Sequence, residues 1–229
     1  MKTSHSHPGL GGHCSGNGAF TLLELMVVMA IIAILSTLAV PAAGKLLGGS
    51  HLSQAAQIVV DQLSLARQSA LSLNHLVEVR FYQYGDSEVP GENPSNPGAG
   101  RYRALQTFEI ADSGTAVALG KMQRLPGSVV IDTGSELSSI LGAAKASPSS
   151  PTLTTGDALN VAIPRVGKNY NAVSFRFLPD GAAKLSPSTD RWYLTLHGAE
   201  AGDGLKTPPP NFFTIQINAI NGHIQTFRP

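Results

Sequence analysis

Two hydrophobic patterns follow one another along the first third of the chain. Residues 25–40 carry no charged side chain, and with residues 20–24 the apolar run fills 21 positions before Pro41. At the rise of an α-helix this run is about 31 Å long, one hydrocarbon thickness of a bilayer. It is apolar on all sides, which predicts a membrane-spanning helix over 20–41. Beyond it the pattern thins to a stripe. Leu52, Ala56, Val59, Leu63, Ala66, Ala70 and Leu73 recur at spacings of four and three, and Gln54, Gln57, Asp61, Ser64 and Gln68 take the other faces. That spacing predicts an amphipathic half-helix over 42–74, with the chain's own sheet as the partner of the stripe.

After Asn74 the period changes to that of a strand, Val77-Glu78-Val79-Arg80-Phe81-Tyr82. Further strand-like runs lie at 102–110, 129–131, 173–178, 192–196, 212–219 and 223–227. Asn221-Gly222 is a hairpin signal and Pro179-Asp180-Gly181 a turn. Three tracts rich in Gly, Pro, Ser and Asn, at 85–100, 133–160 and 198–210, read as exposed, mobile loops. The expected fold is α+β, a long N-terminal helix packed on an antiparallel β-sheet. Its parts are a leader at 1–19, the membrane-spanning half, the amphipathic half, and a β domain at 75–229.

Composition narrows the function. The net charge of +1 over 229 residues gives no field that would gather nucleic acid. The single Cys14 excludes an intramolecular disulfide. His5, His7, His13 and Cys14 lie in a Gly/Ser-rich tract whose spacing matches no closed zinc pattern, so they read as a polar leader. A secretory signal peptide fits poorly: the leader's one basic residue is Lys2, and the small pair Gly18-Ala19 precedes the apolar run instead of following it.

No Gly-x-Ser-x-Gly elbow, His-Glu-x-x-His helix or phosphate loop occurs. His75, His197 and His223 are scattered and read as surface or turn residues. Asp86, Glu88 and Glu92 in one loop and Glu200 and Asp203 in another are too sparse for a calcium site and read as solvated acids. The chain is therefore expected not to be an enzyme and to need no cofactor or metal.

Glu24 is the exception inside the apolar run, because a charge in lipid costs ~3 kcal/mol or more. Ala19-Phe20-Thr21-Leu22-Leu23-Glu24-Leu25, the run that follows and Pro41 resemble the prepilin leader and stem of type IV pilins and type II secretion pseudopilins. The resemblance implies cleavage by a prepilin peptidase just before Phe20, N-methylation there, and filament assembly. Counting from Phe20, Glu24 is fifth and Pro41 twenty-second, the register of that family. The family prefers Gly before the cut, and here Gly18 lies one position back; cutting after it would shift both residues out of register.

The family's Glu is held to pair with a neighbouring subunit's new amino terminus. Physically, that cation would make the carboxylate tolerable in an apolar setting; the plainer reading is that Glu24 snorkels to the headgroups. Pro41 has no N–H and either kinks the helix or marks the end of the span.

Further along, Phe175-Arg176-Phe177-Leu178-Pro179-Asp180-Gly181 and the closing hairpin resemble minor pseudopilin H and minor pilin T. Residues 60–68, 77–82, 120–126 and 211–229 are similar to the Verru_Chthon cassette protein D family, a pilin-like group. DNA-binding minor pilins of the T group carry a basic Gly-Arg-x-Arg hairpin, where this chain has Gly222-His223-Ile224-Gln225.

The expected function is a structural or assembly subunit, whose partners are the membrane, prepilin peptidase and other pilin-like subunits, with no nucleic acid. Its expected place is the inner membrane as a single-pass protein with the C-terminal domain periplasmic or extracellular, or a surface filament. The alternatives are a DNA-binding minor pilin and, third, a membrane-anchored enzyme.

Overall fold

The computed structural model describes residues 21–89, 92–143, 151–159, 161–187 and 191–229, without the side chains at 37–48, 97, 143 and 157. The chain forms two compact units, Met1–Gly44 and Lys45–Pro229. Helix α1 (Leu22–Leu73) is 52 residues long and contributes to both. It ends where the sequence suggests: Asn74 adopts a left-handed conformation, φ 56°, which Asn tolerates better than most residues and which turns the chain out of the helix.

The strands of the second unit are β1 (Leu76–Tyr84), β2 (Arg101–Ile110), β3 (Ala116–Ala118), β4 (Gln123–Arg124), β5 (Val129–Ile131), β6 (Thr152–Thr155), β7 (Asn171–Phe177), β8 (Trp192–Gly198), β9 (Phe212–Ile217) and β10 (Ile224–Phe227). They form one antiparallel sheet in the order β10-β9-β8-β5-β2-β1-β7-β6. Two short α-helices, α2 (Ser139–Ala143) and α3 (Gly156–Leu159), and two single 3-10 turns, Pro97–Ala99 and Ala199–Ala201, complete the list. The long β2 is shared along its length by three short partners: β3 at 108–110, β4 at 104–105, and β5 at Tyr102 alone.

Alternation on β1 sets the two faces of the sheet. Val77, Val79 and Phe81 join Leu52, Ala55, Val59, Leu63, Ala66 and Ala70 of α1 in the main core, together with Phe175, Phe177, Leu194, Leu196, Ile215 and Ile217. The alanines matter here, since a small side chain lets the helix lie close to the sheet. The stripe read from the sequence is this buried face, except at its end: Leu73 is 44% exposed, one residue before the chain turns away. On the opposite face Tyr82 and Tyr84 pack with Ala104, Ile163, Tyr170 and Ala172 in a smaller cluster.

Three sequence expectations need correction. The 133–160 tract is not a plain loop: it holds α2, β6 and α3, and β6 pairs with β7 from Thr152↔Ser174 to Thr155↔Asn171. The 198–210 tract is tied down by side chains, as described below. The closing hairpin does not turn on Asn221-Gly222 alone, since β9 ends at Ile217 and β10 begins at Ile224. The amide of Gly222, φ 64°, donates to the Asn218 carbonyl at 2.8 Å. A Cβ at Gly222 would stand 2.1 Å from the Gly181 carbonyl oxygen, so only glycine fits. Arg67 of α1 holds both turns, its Nε donating to the carbonyls of Gly181 (3.2 Å) and Asn221 (3.1 Å).

Candidate functional site

The site singled out by the sequence is the start of α1. Gly18, Ala19 and Phe20 lie outside the described residues, as do His5, His7, His13 and Cys14. Thr21 caps the helix: its Oγ1 accepts from the Glu24 amide at 3.2 Å and its carbonyl from the Leu25 amide at 3.2 Å. Glu24 therefore sits in the first turn, where the helix dipole favours an anion. The pattern Thr21-x-x-Glu24 is that of a capping box, a signal present in the sequence that the reading above did not use.

Among the described residues the Glu24 carboxylate has no hydrogen-bond or ion-pair partner. Around it every residue from 21 to 36 is exposed, with Leu22 at 77% and Met26 at 65%. A contiguous apolar surface of this size marks a place where something else is meant to cover it. Of the two hydroxyls there, that of Thr21 caps the helix and that of Ser36 turns back to the Ile32 carbonyl at 2.8 Å. Among the described residues no helix is long and apolar enough to cross a membrane. The apolar run in the sequence continues into residues 37–40, whose side chains are not described. The helix continues through Pro41.

Residues 14–40 match the prokaryotic N-terminal methylation motif.

The methylation motif thus covers the Gly18-Ala19-Phe20 junction, Glu24 and the apolar run, and stops at residue 40. It does not reach the segments that resemble the Verru_Chthon cassette protein D family. Two solved structures are similar in fold at 11% identity. The minor pseudopilin EpsH from the Type 2 Secretion System of Vibrio cholerae covers 78% of this chain and 98% of its own, with a TM-score of 0.41. The type IV minor pilin FimU of Pseudomonas aeruginosa covers 79% and 93%, with a TM-score of 0.40. No curated protein matches the chain.

The second unit holds polar groups that sequence reasoning misplaced. His197 is not a surface residue: it and Asp132 are fully buried, with His197 Nε2 3.0 Å from Asp132 Oδ2. The other ring nitrogen, Nδ1, lies 2.9 Å from the Gly198 carbonyl. Both nitrogens face acceptors, an arrangement that favours the doubly protonated ring. Asp132 also accepts from the amides of Gly134 (2.7 Å) and Leu205 (3.1 Å), which fastens the 198–210 tract to β5.

Burial alone works against both charges, pulling the His197 pKa down and pushing that of Asp132 up. Their mutual hydrogen bond and the backbone groups reverse this, so His197 is raised above its ordinary 6.5 and Asp132 lowered below its ordinary 3.8. The contribution of His197 to stability is then complete below pH 6.5 and is lost as pH rises through its elevated value. That of Asp132 is complete above pH 3.8 and is lost as pH falls through its depressed value. The urea midpoint of the protein is expected to decline on passing from about pH 5.5 to about pH 9. A His197→Gln variant should lose that decline; an unchanged slope in the variant would contradict the assignment.

The remaining candidates are structural as well. Glu92 is not a solvated acid: 8% exposed, it pairs closely with Arg103 and lies 3.7 Å from Arg101. Asp203 Oδ1 accepts from the amide (2.8 Å) and hydroxyl (3.0 Å) of Thr133. Glu88 does stay on the surface, paired at 3.0 Å with an equally exposed Arg165. His75 bonds Glu109, and His223 is exposed. Among the described residues no group of three His, Cys, Asp or Glu side chains is arranged to hold a metal. On the closing hairpin Arg228 is engaged, donating to Ser53 Oγ at 2.9 Å.

Proposed function

We propose that the chain is a prepilin-type subunit, cleaved between Ala19 and Phe20 by a prepilin peptidase, methylated at Phe20, and assembled with other pilin-like subunits without catalysis of its own. The observation that carries this reading is the methylation-motif match over residues 14–40, which brackets the Ala19–Phe20 junction and Glu24. Two features support it. The start of α1 offers an apolar surface open on all sides, as an inserted or bundled helix requires. Within that surface stands a carboxylate with no partner among the described residues, and cleavage would create an amine on a neighbouring copy.

In this reading the run at 20–41 holds the subunit in the inner membrane as a single pass until assembly, with the β domain periplasmic or extracellular. Pro41 removes one backbone hydrogen bond and loosens the helix at the end of the span. The chain would be a pilin-like protein of the Verru_Chthon cassette protein D kind, serving a type IV pilus or a type II secretion-like filament. The test is the mature N-terminus. Mass spectrometry of the protein from its native host should find residues 1–19 missing and an N-methylated Phe20. An intact leader, or a start at Ala19, would overturn the processing step.

A further inference from the structure

The face of the sheet turned away from α1 carries a cavity of about 310 Å³, within the size range of small-ligand pockets. Its floor follows from strand register. Glu78 of β1 lies opposite Arg176 of β7, Arg80 lies opposite Ser174, and Ser174 opposite Thr152 of β6. Because side chains alternate, these five point to the same face as Thr154. Lys184, Leu159 of α3 and the β2–β3 connection at Gly114 form walls.

The charges at this floor do not balance. One carboxylate, Glu78, serves two guanidiniums: Oε1 accepts from Arg80 Nε at 2.6 Å and Oε2 from Arg176 Nε at 2.8 Å. Among the described residues the lining, with Lys184, holds three cations against one anion. Beyond the bond to Glu78, neither the Arg176 side chain nor the Lys184 ammonium donates to a described residue. Arg80, 6% exposed, lies over the Phe108 ring, 4.0 Å from its centroid, which fixes the guanidinium in place. A closed structural network would pair its cations and leave no space. Here space, surplus positive charge and three hydroxyls (Thr152, Thr154 and Ser174) converge.

We propose that this pocket binds a small ligand through an oxyanion, a carboxylate or a phosphate group. Arg80, Arg176 and Lys184 supply charge-assisted donors, for which the guanidinium fork is well shaped, and the hydroxyls orient the ligand. Glu78 holds the two arginines in position and is not itself a ligand contact. The site is independent of how the N-terminus is processed.

The test uses the full chain, isotope-labelled in mild detergent, titrated with inorganic phosphate and separately with glucuronate at constant ionic strength. Saturable amide shifts at Ser174, Arg176 and Thr154 are expected. Saturation by phosphate alone assigns a phosphate group, by glucuronate alone a carboxylate, and by both an oxyanion of either kind. Arg176→Gln and Lys184→Gln should each weaken the binding about tenfold, the scale of one lost charged hydrogen bond. Lys184 is exposed, so its variant will fold even if Arg176→Gln does not. Arg228→Gln, remote from the pocket, should bind unchanged. Absence of any saturable shift, or equal affinity in the pocket variants and the wild type, would overturn the proposal.

Discussion

Leu63→Asp is expected to lower the stability of the second unit by about 3–5 kcal/mol, a large part of the total for a domain of this size. Leu63 is fully buried at the centre of the α1 face, among Val59, Ala66 and the apolar side of the sheet. A carboxylate there would have no partner, and the surrounding alanines could not supply one. The protein carries its own reporter, since its single Trp192 is buried in the same core and bonds the Ser186 carbonyl through Nε1 at 2.8 Å. Urea unfolding followed by that fluorescence should show the midpoint falling steeply in the variant. Leu63→Ala should fall less, by about 2–5 kcal/mol depending on how the cavity closes. A midpoint unchanged by the aspartate would mean that this stripe does not pack on the sheet.

What the sequence made legible, and what it hid, divides along physical lines. The α1 stripe was readable because seven apolar positions repeat a helical period, and its end because Asn74 can adopt a left-handed turn. Strands with strong alternation, such as β1 and β7, were readable for the same reason. β3, β4 and β6 were not, because each is two to four residues long and exists by pairing with a longer neighbour, not by a pattern of its own. Thr152–Thr155 follows a Ser/Pro tract that reads as loop, and only its register on β7 makes it a strand.

The buried ionic groups were hidden for a related reason. Asp132 and His197 are 65 positions apart and meet because β5 pairs with β8 at Val130↔His197 and Ile131↔Leu196. Glu78, Arg80 and Arg176 likewise meet only across β1 and β7. No local spacing announces such pairs. The Thr21 cap, by contrast, was in plain sight: its hydroxyl accepts from the Glu24 backbone amide, and the Glu24 carboxylate stands in the first turn, where the helix dipole favours an anion.

The pairing proposed for Glu24 gives the second large effect. Glu24→Gln keeps the shape of the side chain and the backbone amide that Thr21 caps. It removes the charge, however, and with it the partner proposed for a neighbour's amine. Glu24→Ala removes the shape as well as the charge and likewise keeps the capped amide. Insertion and cleavage should survive either change, because a costly charge leaves the apolar run and the cut lies upstream. Assembly should not survive, since an amine left unpaired in an apolar setting costs about 3 kcal/mol or more, equivalent to a loss of roughly a hundredfold.

The central claim, that a cleaved chain assembles through Glu24, is tested most directly by the share of tagged protein recovered in sheared or crosslinked assemblies against the membrane pool. The expected result is a wild-type chain found in the assemblies and both Glu24 variants confined to the pool, with glutamine failing nearly as badly as alanine. Equal recovery of all three, or full recovery of Glu24→Gln, would contradict the claim and leave Glu24 as a snorkelling acid at the membrane edge.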